Sequence, residues 1–225
     1  MSNCLTQARF VQKDSSISLI TVSTDGHFTF WNLTPVLEPF YTITPSGLSV
    51  KQPIETTAST PTIISCESRY QIHSNSIKSL ELAHISDTTS LIVAGGDDNA
   101  LTVSLLNASI AHSESSTHVN TVTIPDAHTA SVTTVKLIEQ RQPQVNADGN
   151  ATVDLTVASS GNDHRVKIWS VRVEDAEKAI SVGNVVNQYS PVADISSLDV
   201  IRDAASAELK LLVCGVGMEM LKIRQ

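Results

Sequence analysis

Residues 127–137, AHTASVTTVKL, and 155–169, LTVASSGNDHRVKIW, form a unit that the chain has already used once. Residues 72–82, IHSNSIKSLEL, and 91–105, LIVAGGDDNALTVSL, repeat it. Each copy runs from a His through an alternating apolar strand, then a small-residue strand, an Asp-centred turn and a third alternating strand. The alternation is of period 2: Val132, Val135 and Leu137 stand against Thr134 and Lys136, and Val166 and Ile168 against Lys167. That is the pattern of short strands burying one face. Outside the two copies the pattern recurs in weaker form. The spacing from Asp163 to Trp169 is matched by Asp25 to Trp31, six residues in each. A turn acid at a fixed distance from an indole donor suits a buried hydrogen bond.

A supersecondary unit repeated along a chain implies sheets stacked as the blades of a β-propeller. The fold expected is therefore all-β, with about four divergent blades. Propellers have ~4–8 blades, so four units read best as an arc of a larger propeller. Stacked blades bury their polar strand ends, which must find partners inside the fold.

The repeat resembles that of WD-repeat proteins, whose blades read GH, small-Ser, Asp and WD. The resemblance implies a buried tetrad of His, Ser or Thr, turn Asp and Trp in each blade. By position the third unit is complete, with His128, Ser159, Asp163 and Trp169. The first keeps Thr21, Asp25 and Trp31 without a clear His. The second keeps His73 and Asp98 but has Ala94 and Ser104 in the hydroxyl and Trp places. In the fourth, SPVADISSLDV (190–200) with LKLLVCGVGMEMLKI (209–223), only the strand pattern survives, with Gly217 near the turn.

A finer resemblance covers nearly the whole chain. TVSTDGHFTFWNLTPVLEP, LIVAGGDDNALTVSLL, IPDAHTASVTTVKL, GNDHRVKIWSV, VADISSLDV and VCGVGMEMLKI occur in this order. They look like the C-terminal blades of the eukaryotic WD-repeat auxiliary subunits of the FtsJ-like tRNA methyltransferase that modifies the wobble nucleotide (position 34) at the 2′-oxygen. The last segment is the most specific, because it departs from an Asp turn and Trp in the manner of that family's terminal blade. The resemblance implies a non-catalytic scaffold, a partner methyltransferase and indirect contact with tRNA. The alternative is a WD-repeat adaptor in ubiquitin ligation, trafficking or chromatin, and a third class is an enzyme of propeller architecture with convergent acids near the central channel.

Along the chain, residues 1–33 predict a partial blade with strands ARFVQ, ISLITVS and HFTFWNL. Residues 34–61 hold five of the eight prolines and predict a loop or linker. Residues 62–225 carry the remaining blades, at about 73–124, 128–190 and 192–223. CESRYQI, VNTVTI and NVVNQY are expected as outer strands. EDAEKAI (174–180) is the one stretch with helical character, and RQPQVNADGNAT (141–152) reads as a surface turn inserted in a hairpin.

Bulk properties narrow the function classes. Fifteen Lys and Arg against 23 Asp and Glu give a net charge of −8, which argues against a broad nucleic-acid surface. Arg165, Lys167 and Arg172 are the local basic candidates for phosphate contact, with a solvated strand face as the simpler explanation. No apolar run approaches the ~18 residues of a membrane span. The start has no apolar signal core, and Cys4, Cys66 and Cys214 are odd in number and widely spaced, as for reduced thiols. These features lead to the expectation of a cytoplasmic protein, with no membrane among its partners.

Catalytic and cofactor motifs are weak. Ser159, His128 and the Asp163–His164 pair hint at a Ser-His-Asp triad, but the tetrad accounts for them structurally and no G-x-S-x-G elbow is present. His112 and His118 lack partners at ligand spacing, and Asp97 and Asp98 are followed by Asn99 and Ala100 rather than a calcium-loop pattern. Gly95–Gly96 and Gly215–Gly217 do not lead into helices as phosphate cradles do. Met218 and Met220 alternate on a strand and read as packing contacts. No cofactor or metal site is expected, so a methylation role would place the catalyst on another chain.

Overall fold

The structure, a computed structural model, describes residues 3–13, 16–44, 46–51, 64, 66, 68–86, 89–107, 119–145, 151–174, 179–202 and 208–223. Three antiparallel sheets, two of four strands and one of five, follow one another. The first is β1 (Leu5–Lys13), β2 (Ser16–Ser23), β3 (His27–Asn32) and β6 (Ser68–Gln71), in that order. The second is β7 (Ile77–Ser86), β8 (Thr89–Gly96), β9 (Leu101–Asn107) and β10 (Asn120–Ile124). The third is β11 (Val132–Gln140), β13 (Ala151–Gly161), β14 (Arg165–Glu174) and β15 (Ala179–Tyr189), with the short β12 (Gln144–Val145) also on β13. The last sheet pairs β16 (Ala193–Arg202) with β17 (Leu209–Ile223).

These sheets are propeller blades. The first strand of each is innermost, and β1, β7, β11 and β16 pack in succession. Between neighbouring blades lie three separate apolar cores. Ile20, Val22 and Phe28 of the first blade meet Ile77, Leu80 and Ile92 of the second. Leu91, Val93 and Val103 meet Val132, Val157 and Trp169 of the third, and Ala158, Val166 and Ile168 meet Ile195, Leu211 and Val213 of the fourth. A fully buried Val, Leu or Ile contributes about 1.5–3 kcal/mol, so stacking supplies the cohesion that a single sheet lacks.

β17 is not one straight strand. At about 3.3 Å per residue, Leu209 and Ile223 would lie roughly 45 Å apart, yet both line one cavity. Leu209–Val216 pairs with β16, and the chain doubles back around Gly217, whose φ of +117° only glycine adopts without strain. The fourth blade thus has three extended segments, and no outer strand for it lies among the described residues.

Two expectations are corrected. Within residues 34–61, the described part holds helix α1 (Thr34–Leu37), with proline in its first turn, and a hairpin of β4 (Tyr41–Thr44) and β5 (Gly47–Val50). Proline here bounds elements and does not abolish them. The helical reading of EDAEKAI fails at both ends, because Glu174 closes β14 and pairs with Ala179 at the start of β15. Residues 175–178, Pro45, Pro53, Pro61, His112, His118 and residues 146–150 lie outside the described residues.

Candidate functional site

The polar groups singled out in the sequence meet where each blade's second and third strands join. In the third blade Trp169 Nε1 donates to Ser159 Oγ at 2.8 Å, and Ser159 Oγ lies 2.8 Å from His128 Nε2. His128 Nδ1 lies 2.9 Å from Asp163 Oδ1. A consistent proton order follows: indole N–H to hydroxyl oxygen, hydroxyl to Nε2, and Nδ1–H to carboxylate. His128 and Ser159 are wholly buried. Asp163 also accepts from the backbone N–H of Thr129 and Arg165, which ties the turn to the next strand.

The electrostatics follow from burial opposed by bonding. Burial holds the His128 imidazole below its ordinary value against the pull of Asp163. Burial would raise Asp163, but the hydrogen bond from His128 and the backbone donors carry it below the usual carboxylate range. Asp98 behaves likewise with His73. A neutral His fixed between a hydroxyl and a carboxylate resembles a catalytic relay on paper. Here Ser159 Oγ is buried and engaged by the Trp169 indole, so the arrangement fastens a turn and offers no nucleophile.

Backbone geometry makes the contact possible. A Cβ on Gly161 would fall 2.8 Å from His128 Nδ1, and one on Gly96 2.6 Å from His73 Nδ1. The residue after each turn Asp is left-handed: Gly26 at φ +78°, Asn99 at +65° and His164 at +58°. His164 is therefore a turn residue, its Nδ1 near Val192 O at 3.2 Å, and not a member of the network.

The second blade replaces what the sequence lacks. His73 Nδ1 lies 2.8 Å from Asp98 Oδ1, and its Nε2 lies 3.0 Å from the hydroxyl of Thr102. Thr102 sits directly across the ladder from Ala94, so the missing hydroxyl comes from the neighbouring strand. Ser104 turns away to Thr121 Oγ1 at 2.8 Å. The first blade joins only half the set. Trp31 Nε1 donates to Thr21 Oγ1 at 2.9 Å, while Asp25 accepts from Ser23 Oγ and from Arg69 on the outer strand. The sequence pattern gave no sign of Thr102 or Arg69. In the fourth blade the buried Ser190 donates to Glu219 at 2.6 Å.

The basic candidates are engaged within the fold. Arg172 forms a two-pronged pair with Asp154, at 2.7 and 3.2 Å. Lys167 donates to Ala127 O at 2.5 Å and lies over the Trp169 ring. Arg165 stacks on Tyr189, beside His164. A cavity of about 620 Å³ opens between the third and fourth blades, lined by Ile138, Val166, Ile168, Val186, Leu209 and Leu211 among others. Glu139 is the one carboxylate among its described lining residues, so the space suits an apolar segment better than acid–base chemistry. Among the described residues no group of three His, Cys, Asp or Glu is placed to hold a metal ion, and no helix is long and apolar enough to cross a membrane.

No family model and no curated protein matches the chain. Solved structures similar to it include Raptor from Chaetomium thermophilum, at 12% identity and a TM-score of 0.47, over 99% of this chain and 17% of that one. The β-propeller domain of Nup133 from Vanderwaltozyma polyspora is similar at 12% identity and a TM-score of 0.41, over 99% and 59%. BBS1N, crystallised with ARL6DN, is similar at 8% identity and a TM-score of 0.33, over 95% and 65%. The chain thus spans less than two thirds of each. The blade architecture stands on strand order, inner-strand packing and the networks at the turns.

Proposed function

We propose that the chain is a non-catalytic WD-repeat scaffold that supports 2′-O-methylation of the tRNA wobble nucleotide by a partner FtsJ-like methyltransferase in the cytoplasm. The carrying observation is the ordered resemblance of the quoted segments, above all the terminal VCGVGMEMLKI. In the fold, that segment doubles back at Gly217 in place of an Asp turn. The scaffold part of the reading draws on the polar groups: those that could have done chemistry are spent on holding turns. A scaffold contributes by positioning, which raises the effective concentration of one substrate geometry without changing the chemical step. With a net charge of −8, the chain is suited to hold the enzyme and not the tRNA directly.

Loss of the gene product is expected to lower 2′-O-methylation at tRNA position 34 while the methyltransferase's other sites stay modified. Mass spectrometry of tRNA from a deletion strain measures both. Unchanged position-34 methylation would overturn the tRNA reading.

A further inference from the structure

The turn of the third blade carries three flat side chains that the fold does not ask for. His164 and Arg165 follow the turn Asp, and Tyr189 pairs across the ladder from Arg165. At the same places of the repeat the first blade has Gly26 and His27, with Gln71 across the ladder, and the second has Asn99, Ala100 and Pro125. His164 keeps φ at +58°, where glycine and asparagine are at ease and a larger side chain sits under strain. An imidazole held there against local preference is the mark of a site.

The three side chains form one platform. The His164 and Tyr189 rings stack, with centroids 6.1 Å apart and planes 24° apart, and the Arg165 guanidinium lies 6.0 Å from the Tyr189 centroid. Ser190 N–H donates to His164 O at 2.9 Å and His164 Nδ1 to Val192 O at 3.2 Å, so the turn and the end of β15 are fixed to each other before anything binds. A carbonyl only accepts, which places the proton on Nδ1 and leaves Nε2 an acceptor. Tyr189 is 58% exposed, and Arg165 is exposed as well. Among the described residues Arg165 meets no carboxylate, in contrast to Arg69 on Asp25 and Arg172 on Asp154. Asp163, two residues before it, is turned inward to His128 with a side chain only 5% exposed. Val166 and Ile168 pack toward the fourth blade and Trp169 toward the second, so Arg165 and Lys167 face the second blade. Lys167 reaches Ala127 O in the connection between these two blades. The platform thus lies at the junction of the second and third blades, independent of whatever flanks the four.

Exposed planar groups beside a cation without an ion pair match the parts of a nucleotide. A base stacks on an aromatic ring whatever its sequence, and a guanidinium takes a phosphate by two parallel hydrogen bonds. An acidic peptide would use the guanidinium and leave the stacked rings idle. We infer that Tyr189, His164 and Arg165 form a seat for a single nucleotide, its base on the Tyr189 ring and its phosphate on Arg165, with His164 Nε2 open to a ribose hydroxyl. One seat neutralises about one phosphate and so agrees with a net charge of −8, which argues against a long nucleic-acid track. The inference does not rest on the tRNA reading, since a free nucleotide and an unpaired nucleotide of an RNA present the same chemistry.

Fluorescence anisotropy of a labelled triadenylate on the whole chain tests it, with adenosine 5′-monophosphate as competitor. Saturable binding is expected, with log K falling against log salt at a slope of about −0.7, that of one phosphate on a single strand. Tyr189→Ala should weaken binding roughly 5- to 150-fold and leave the slope unchanged, whereas Tyr189→Trp should keep the affinity. Arg165→Gln should bring the slope near zero. His164→Gly, which suits the left-handed turn, should weaken binding without lowering the melting temperature. A monophosphate that competes as well as unlabelled triadenylate assigns a free nucleotide, and one that competes far less assigns an RNA strand; either result supports the seat. No saturable binding of either probe, a slope several times steeper, or a loss in Arg165→Gln that Tyr189→Ala does not share would overturn the inference, and the last would assign the patch to an acidic peptide.

Discussion

Trp169 and Trp31 occupy the same place in their repeats and differ in what surrounds them. Trp169 is 4% exposed and bonded to a Ser that is itself bonded to His128. Trp31 is half-buried and, among the described residues, its indole bonds Thr21, which no His joins. Trp169→Ala should therefore destabilise by roughly 3–5 kcal/mol, with a further penalty for the unpaired Ser159, and Trp31→Ala by clearly less. Urea melts of the two variants compare them, and equal midpoints would contradict the unequal networks. Protons provide a second check. His128 has its pKa held below 6.5 in the fold. The unfolded chain takes up this proton near 6.5 while the folded one does not, so stability is lost as pH falls from there toward the folded value. Asp98 and Asp163 are held below 3.8, so their contribution is present above the unfolded value and is lost as pH falls through the lower folded one. The urea midpoint is expected to decline in two stages, below about 6.5 and again below about 4. A midpoint that is flat between neutral pH and 5 would contradict a buried, neutral His128.

The elements differ in how far they can be read from residues. Strands β7, β11 and β14 show in the sequence because burial alternates along part of each, whereas β8, β9 and β13 show as apolar and small-residue runs buried on both faces. The His128 network is legible because all four groups sit at their repeat positions. Thr102 is not, since it reaches His73 from a strand position that in the third blade carries Lys167. Nor is Arg69, which answers Asp25 from an outer strand beyond a long connection. Helix α1 and the β4–β5 hairpin escape because four-residue elements leave too few positions for a period to show. The doubling back of β17 has one signal, Gly217 between two apolar runs. Amide hydrogen exchange should grade the elements accordingly. β13, paired on both sides and buried between two cores, is expected to exchange slowest, and the largely exposed Met218–Ile223 among the fastest. Equal protection of the two would contradict this order.

At the scale of the whole molecule, three inter-blade cores join the four sheets in succession. The buried polar networks leave little for chemistry: hydroxyl, imidazole and carboxylate already satisfy one another, and the large cavity is apolar. The proposed scaffold would do its work through what it holds. The scaffold claim is met most directly by calorimetric titration of the purified chain, first with S-adenosylmethionine and then with the FtsJ-like methyltransferase. The account predicts no heat of binding with the cofactor and a saturating isotherm with the enzyme. Saturable cofactor binding by the chain alone, or no association with the methyltransferase, would contradict it.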